Sequence, residues 1–570
     1  MLLRNVFLSW VLGATIVAAQ PMAPFASGVW SGNVTATSAS VVVRLDSAGQ
    51  KVRLHVSTEP DLNPAVLSGT ATTAASSGNT VTLSVQGLVP DTDYYYGVEV
   101  GGVLRGEPVS RGRLRTFPLG RGSFKIAFAS CSDFRAPDQS AFDAILAARP
   151  LLFIHMGDLH YSDTSTANPD DYRANYDAVL NQPNQGAMYR GVPVVYMWDD
   201  HDFCGNDSDA TSAGREVARS VYKERAPHYP IASAAGGAMA QAFTVGRVRI
   251  VVTDLRSAAD PSSKKDTAAK THLGIAQKNW FKQELISARD AGFPLILWVC
   301  TNPWIGVANS AADDDNWSGY ATERAELADF MRDNRIRNLV LLSGDMHALA
   351  YDDGTHSDYA TGGGAPLTVL HAASLTQNGS IKGGPYTSGA IPGGQQYGIL
   401  EVYDGGGPSI ACRFAGMHAH EGQKLSYIFS TSAAGSSNVA IANTSTLTRL
   451  AAGESLVTGF VISGSAPRTI LVRAVGSTLA SYGIADPVAQ PVLSLQRGDT
   501  RLAANERWNA IEDATAVLND AFGRAGAFPL NGNGGDAALL LTLDPGVYSV
   551  RAKNAGANAG TVLVELYNVP

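Results

Sequence analysis

Apolar and polar positions change their period twice along the chain. Between residues 24 and 118 they alternate in short runs, SASVVVRL, KVRLHVST, TVTLSVQGL and YYYGVEV, separated by Gly, Ser, Asn and Pro. That pattern predicts half-buried strands of a small β-sandwich. Beyond the connector Arg115–Gly122 the runs become apolar throughout and alternate with stretches of helical spacing. FKIAFAS, LLFIHMGD, VPVVYMWDD, PLILWVC and LVLLSGD read as strands, and AFTVGRVRIVVTDLRS reads as a hairpin turning at Gly246. Helices are predicted from DQSAFDAILAARP, capped at Asp138, and near Ile275–Arg289 and Tyr320–Asn334. Further strands near Pro366–Ala372, Tyr397–Tyr403 and Ile410–Phe414 complete a layered α/β domain over 120–428. A Ser/Ala/Gly-rich linker at Ser430–Ser437 follows. Alternation then returns in SLVTGFVIS, RTILVRAVG, PVLSLQRG, AALLLTL, GVYSVRAK and GTVLVELYNV, predicting an all-β module over 438–570.

A length of 570 residues suits such a multidomain chain. The apolar fraction of 45% and mean hydropathy of -0.02 exclude a disordered chain. A net charge of -8 without any Lys/Arg run argues against nucleic acid as the main partner. Residues 1–19 read as a signal peptide: Arg4 is the charged head, Val6–Val17 the apolar core, and Val17-Ala18-Ala19 the small residues before a cut at Gln20. That stretch is too short to span a bilayer, and no later one qualifies. A periplasmic or secreted protein is expected. Cys131, Cys204, Cys300 and Cys412 are too few and scattered for a disulfide scaffold, although export permits a bridge.

Three apolar runs end in acid, and this is where the chemistry concentrates. The first ends in Gly157-Asp158, with Tyr161 three places on; the second in Asp199-Asp200-His201-Asp202; the third in Gly344-Asp345, with His347 following. Sheets of this kind bind ligands just beyond the carboxyl ends of their strands. A carboxylate after a turn-making Gly can bridge two cations, so Asp158 is the pivot. Four consecutive titratable side chains repel one another too strongly to share a half-buried loop without cations. Asp200 is then a ligand, and Asp199 and Asp202 orient neighbours. His201, between acids, is suited to protonate a leaving group, and Asp202 joins it as a catalytic residue. Arg256, after another strand, either holds a phosphoryl oxygen or pairs with Asp254. His155 reads as a core residue, and His418 and His420 make a weak metal claim.

Two resemblances add to this reading. Leu88-Val89-Pro90-Asp91-Thr92-Asp93-Tyr94 resembles the L-x-P-x-T-x-Y signature of fibronectin type III domains. GDxxY at 157–161, WDDHD at 198–202 with Asn206-Asp207 after it, SGDMH at 343–347 and SCSD at 130–133 together resemble the alkaline phosphatase D family of metallophosphoesterases. The resemblance implies an αββα sandwich flanked by a fibronectin type III-like β-sandwich and the C-terminal all-β module. It also implies Cys131 as a ligand in place of an acidic motif, and a GDxxY tyrosine of the kind that binds ferric iron. LWVCTNPW (Leu297–Trp304) lacks the histidine the superfamily often carries there. The ligand set is therefore Cys131, Asp158, Tyr161, Asp200, Asp345 and His347, with Asp199, Asn206 and Arg256 around it.

So oxygen-rich a set suits Fe3+ beside Ca2+, with Mg2+, Mn2+ or Zn2+ as alternatives. The expected function is an exported metal-dependent phosphatase that hydrolyses phosphate monoesters by metal-activated hydroxide attack on phosphorus. The alternatives are a phosphodiesterase or phospholipase D-like enzyme of the same fold, and an inactive surface-binding protein. The C-terminal module is expected to bind a cell surface or matrix, and the insertions Ser162–Arg190 and Asn206–Gly237 to shape the mouth of the site.

Overall fold

The computed structural model describes residues 23–306, 315–407, 409–433, 444–462, 467–498, 500–544 and 546–569. The expected signal peptide at 1–19 and part of the Ser430–Ser437 linker lie outside them.

The N-terminal runs form two antiparallel sheets. Trp30–Gly32, Ser38–Arg44 and Thr80–Gln86 make one; the other is built on Lys51–Ser57 and Asp93–Val100, with Val66–Leu67, Ala71–Thr72, Val103–Leu104 and Arg111–Arg115 beside them. Tyr94 lies at a corner, its hydroxyl accepting from the Val89 N–H at 2.9 Å.

Two mixed sheets face each other in the centre. In the first, Val194–Met197, Leu152–Met156 and Phe124–Ala129 run parallel, and Gln396–Tyr403, Ser409–His418 and Gly422–Ser432 continue antiparallel. In the second, Val248–Val252, Leu295–Cys300, Leu339–Ser343 and Thr368–Ala372 are parallel, with Gln241–Val245 on one side and Ala348–Asp352 and Ala390–Pro392 on the other. Alternate side chains of a strand point to opposite faces, and the second sheet uses both. Ile250, Val252, Leu297, Val299, Val340 and Leu342 enter the core shared with the first sheet. Val251, Ile296, Trp298 and Leu341 pack instead with Phe281 and Leu285 of helix Ile275–Asp290 and Leu327 and Met331 of helix Ala321–Asp333. Burial on both faces explains why these runs are apolar without alternation.

The insertions do more than shape the mouth of the site. The polar stretch after Tyr161 contains helices Pro169–Asn181 and Pro183–Gly191, and the later one contains Arg215–Arg225. These helices mostly fasten the N-terminal sandwich to the centre. Asp177 pairs with both Arg44 and the buried Arg225, Trp30 Nε1 donates to Arg225 O at 2.9 Å, and Tyr96 Oη donates to Arg190 O at 3.0 Å. Both insertions also reach the mouth, the first through Asp163 and the second through Asp207.

The C-terminal module is not all-β. It has two four-stranded sheets, one of Thr444–Leu450, Gly560–Asn568, Arg468–Val475 and Ala537–Leu543, the other of Ser455–Ile462, Gly546–Asn554, Pro491–Arg497 and Thr500–Asn505. Helix Glu512–Arg524 covers the first, burying Leu518, Ala521 and Phe522 against Leu471 and Val475. The helical spacing of those three residues was the available signal, obscured by the Asp, Asn and Gly among them.

Candidate metal centre

The acidic loops all leave the carboxyl ends of parallel strands at the edge where the two central sheets meet. The backbone turns sharply there: Cys131, Asp158 and Asp345 have φ of 65°, 54° and 67°. The left-handed region is uncommon for residues with a Cβ, and it clusters at sites where the surroundings fix the chain. Close approach is enforced by glycine. A Cβ on Gly157 would lie 2.4 Å from Asp199 Cβ, and one on Gly344 would lie 2.7 Å from Ser130 Oγ and 2.9 Å from Met156 O. The loops are also tied directly, Cys131 N donating to Gly157 O at 3.1 Å and Asp345 N to Ser130 Oγ at 3.1 Å.

Asp158 Oδ2 accepts from Tyr161 Oη at 2.9 Å, whereas its Oδ1 is buried without a donor among the described residues. Tyr161 Oη is also 3.4 Å from His347 Nε2. His347 Nδ1 donates to Asn378 O at 2.8 Å, which fixes the tautomer and leaves Nε2 a lone pair for a cation. Burial holds this imidazole neutral, its pKa lowered to about 4. Asp345 repeats the arrangement of Asp158: Oδ1 takes Lys382 Nζ at 2.5 Å, and Oδ2 is buried without a partner among the described residues. Asp200 accepts from Asp207 N at 2.7 Å and His201 N at 2.9 Å. Ligand atoms of Asp158, Asp200 and His201 lie within 4.8 Å of one another, as do those of Asp200, Asp207 and Asp315. Cys131 is buried beside them, its Sγ 3.9 Å from Asp345 O, and burial with the charges of Asp158 and Asp345 pushes its thiol well up.

Around this cluster a second layer holds the loops in place. Asp199 takes Arg256 Nε at 2.6 Å and Asn302 Nδ2 at 3.0 Å. Arg256 also binds Asp315 at 2.9 Å, and its Nη2 is buried, without a hydrogen-bond partner among the described residues and 4.0 Å from Asp200. The Asp254–Arg256 side-chain pair is not formed. Asp254 Oδ1 accepts Trp198 Nε1 at 2.8 Å and the Arg256 N–H at 3.0 Å instead. His201 Nδ1 is 2.6 Å from Asp163 Oδ1, and its ring lies 4.3 Å from that of Tyr161.

Asp202 differs from its expected catalytic role. Its carboxylate is filled by Leu159 N, Tyr196 Oη and Asp199 N, each at 2.7 Å, so it fastens the Asp158 loop to the Asp199 loop. Asn206 is exposed on the loop beyond. His155 sits buried in its strand against Ser132 Oγ, and His420 pairs with Asp138 at 2.9 Å. The cysteines are all free thiols; Cys300 takes Trp317 Nε1 at 3.0 Å. Asp163, Asn302, Asp315, Asn378 and Lys382 were not anticipated. The Asp313-Asp314-Asp315 run was a signal for one of them; Lys382, in a Gly-rich loop, gave none.

Asp158, Asp199, Asp200, Asp202 and Asp345 are all buried, with Arg256 and Lys382 as their close cations. Uncompensated buried charge costs on the order of several kcal/mol per group. The unpartnered Asp158 Oδ1 and Asp345 Oδ2 fit metal ligation, because a cation would meet the need of both. Without metal, burial first and then neighbouring carboxylates raise the pKa of Asp158 well above the usual range. Asp199 and Asp345 shift the same way, chiefly by burial, and Asp202 rises to about 6. Asp200 shifts downward: Arg256, His201 and the Asp207 N–H outweigh its burial. In the folded metal-free protein Asp158, Asp199, Asp202 and Asp345 thus hold protons that they give up in the unfolded chain. Their contribution to stability is full below about pH 4, the unfolded carboxylate range, and is lost as pH rises through about 6 and beyond. Buried histidines such as His155, lowered to about 3, and His347 and His371, lowered to about 4, act with the opposite sign below about pH 6.5 and fall silent above it. Chelated protein should therefore melt at progressively lower temperature from pH 7 to pH 9, and a melting temperature that rises over that interval would contradict this. Metal-loaded protein should not show the fall.

Comparison with known proteins places this geometry. The PhoD-like phosphatase profile matches residues 126–386, and that of the PhoD-like phosphatase N-terminal domain matches 13–118. The chain belongs to the PhoD-like phosphatase family. Alkaline phosphatase D of Bacillus subtilis strain 168 is 26% identical over 392 residues, covering 59% of this chain and 66% of that protein, just under two thirds of its length. The solved structure of PhoD is similar at a TM-score of 0.59 with 21% identity, covering 72% of this chain and 91% of that one, and so shares the fold. Purple acid phosphatase PPD1 from yellow lupin seeds aligns over 71% of this chain and 74% of its own at 12% identity and a TM-score of 0.48. Both PhoD-like segments lie N-terminal to the two four-stranded sheets that end the chain.

Proposed function

We propose that this PhoD-like protein is a metal-dependent phosphoric ester hydrolase acting on phosphate monoesters. The observation that carries this reading is the convergence of Asp158, Asp200 and His201 on one side and of Asp200, Asp207 and Asp315 on the other, with Asp158 Oδ1 and the nearby Asp345 Oδ2 buried without donors among the described residues. Cys131, Asp158, Tyr161 and His347 are assigned to Fe3+, and Asp158, Asp200 and Asp345 to Ca2+, with Mg2+, Mn2+ or Zn2+ as alternatives. When bound, such cations acidify water and carry the charge that develops on phosphoryl oxygens. Arg256, gripped by Asp199 and Asp315, offers its free Nη2 to a non-bridging oxygen. His201, oriented through Nδ1 by Asp163, keeps Nε2 for the leaving oxygen and delivers its proton there.

The N-terminal sandwich is read as fibronectin type III-like, supported by its division into two sheets and by the Tyr94 corner. The 1–19 leader supports a periplasmic or secreted location, and the C-terminal module a role at a cell surface or matrix. No described helix is long and apolar enough to cross a membrane.

The test is hydrolysis of a chromogenic monoester and its diester, with added calcium and with chelator. Monoester turnover that chelator abolishes is expected. Turnover of the diester alone would favour the phosphodiesterase reading, and turnover of neither would favour a surface-binding protein.

A further inference from the structure

The loop after strand Thr368–Ala372 carries into the centre a cation that neither the motifs nor the roles above assign. Several bonds pin this loop. Thr376 N donates to Cys131 O at 3.2 Å, and Asp133 N donates to Thr376 Oγ1 at 2.6 Å. Ser380 N donates to His347 O at 3.1 Å, and Gly384 N to Ile305 O at 3.0 Å. At Gly383 φ is 83° and a Cβ would stand 2.2 Å from Ile305 O, so a side chain there would force the loop away.

Between these pins Lys382 Nζ reaches Asp345 Oδ1 at 2.5 Å, its side chain 44% exposed while that of Asp345 is 5% exposed. The Asp345 carboxylate is thereby divided. Oδ1 serves the ammonium, and the buried Oδ2 remains for a metal cation. An ammonium has three donors, and among the described residues Asp345 takes one of them. The other two are left for a ligand beside the carboxylate cluster. A phosphate monoester is doubly charged above its second pKa of about 6, whereas a diester carries one charge. A fixed cation at this position therefore separates the two classes.

We propose that Lys382 determines specificity, donating to a non-bridging oxygen and favouring the phosphate monoester dianion over the diester. This rests on the hydrolase reading above. A lysine that only neutralised Asp345 would affect both substrates alike.

The experiment uses full-length Lys382→Met and Lys382→Arg with measured metal content. Lys382→Met should lower kcat/KM for a chromogenic monoester by about 10- to 100-fold, the value of a hydrogen bond to a charged group. The diester should lose less than about threefold, as a screened charge effect would give. Affinity for inorganic phosphate should fall in parallel with the monoester, metal content should stay constant, and Lys382→Arg should recover part of the loss. Equal losses for both esters, or metal loss with phosphate affinity unchanged, would overturn the proposal. If Lys382→Met does not fold, Lys382→Gln, which keeps a donor without the charge, serves the same comparison. Wild-type protein inert to both esters would overturn the hydrolase reading instead, while phosphate affinity would still report on Lys382.

Discussion

Asp158→Asn is expected to abolish ester hydrolysis and, at the same time, to stabilise the metal-free protein. Asparagine tolerates the left-handed backbone at this position and can still accept from Tyr161, so the loop should survive. What disappears is the charge that would hold the cations. Turnover should fall by about 10³-fold or more, in line with the loss of a main electrostatic contact to the transition state. Metal bound per chain should fall with it. Without metal the sign of the stability effect reverses, because Asp158 is buried among Asp199, Asp200, Asp202 and Asp345. Removing its charge should stabilise the chelated protein by about 1–2 kcal/mol at pH 8, the order expected when an unfavourable buried charge is neutralised. Paired melting curves check this. Metal-free Asp158→Asn that melts below metal-free wild type would show that the carboxylate is satisfied without a cation.

His201→Ala is the second large effect, and it should separate catalysis from metal binding. The ring stands on Tyr161 and its Nδ1 is committed to Asp163, an arrangement for orienting a proton donor. Loss of a positioned general acid costs about 10²–10⁴-fold in rate. That cost should be greatest for alkyl phosphates, whose leaving oxygen needs the proton, and small for nitrophenyl phosphate, whose leaving group departs as an anion. Metal content should not change. If His201→Ala loses metal, or slows both classes of substrate equally, His201 is a ligand or a scaffold residue. Asp163→Asn should give a weaker version of the same pattern, since it removes the partner and keeps the ring.

The central strands could be read from sequence because sheets covered on both faces leave no room for polar alternation, so LLFIHM, LILWVC and LVLLS stand out as continuous apolar runs. Asp158, Asp200 and Asp345 were legible for a related reason: carboxylates that follow such runs are costly unless paired. His347 is legible from its place two residues after Asp345, whereas Cys131 as a ligand and the iron-binding role of Tyr161 rest on the motif resemblance; the structure brings all three to the same edge. The second layer was not legible. Asn302 holding Asp199, Asp163 holding His201 and Asn378 O fixing His347 join residues 31 to 103 positions apart, and no local pattern signals such pairs. Asp202 was misjudged for the opposite reason. It shares the acidic run with Asp200, but its position in the short helix Asp200–Phe203 turns it toward Leu159 N and Tyr196 Oη. The helix at Glu512–Arg524 was hidden because a single amphipathic turn pattern among strands carries less weight than six alternating runs.

The most direct measurement is anomalous diffraction from crystals of protein purified without added metal. Peaks are expected at the unpartnered Asp158 Oδ1 and Asp345 Oδ2, with iron-edge signal beside Tyr161 and a calcium-compatible peak beside Asp200. Stoichiometric zinc with neither iron nor calcium would contradict the metal assignment, and the absence of any peak among these carboxylates would contradict the metal centre itself.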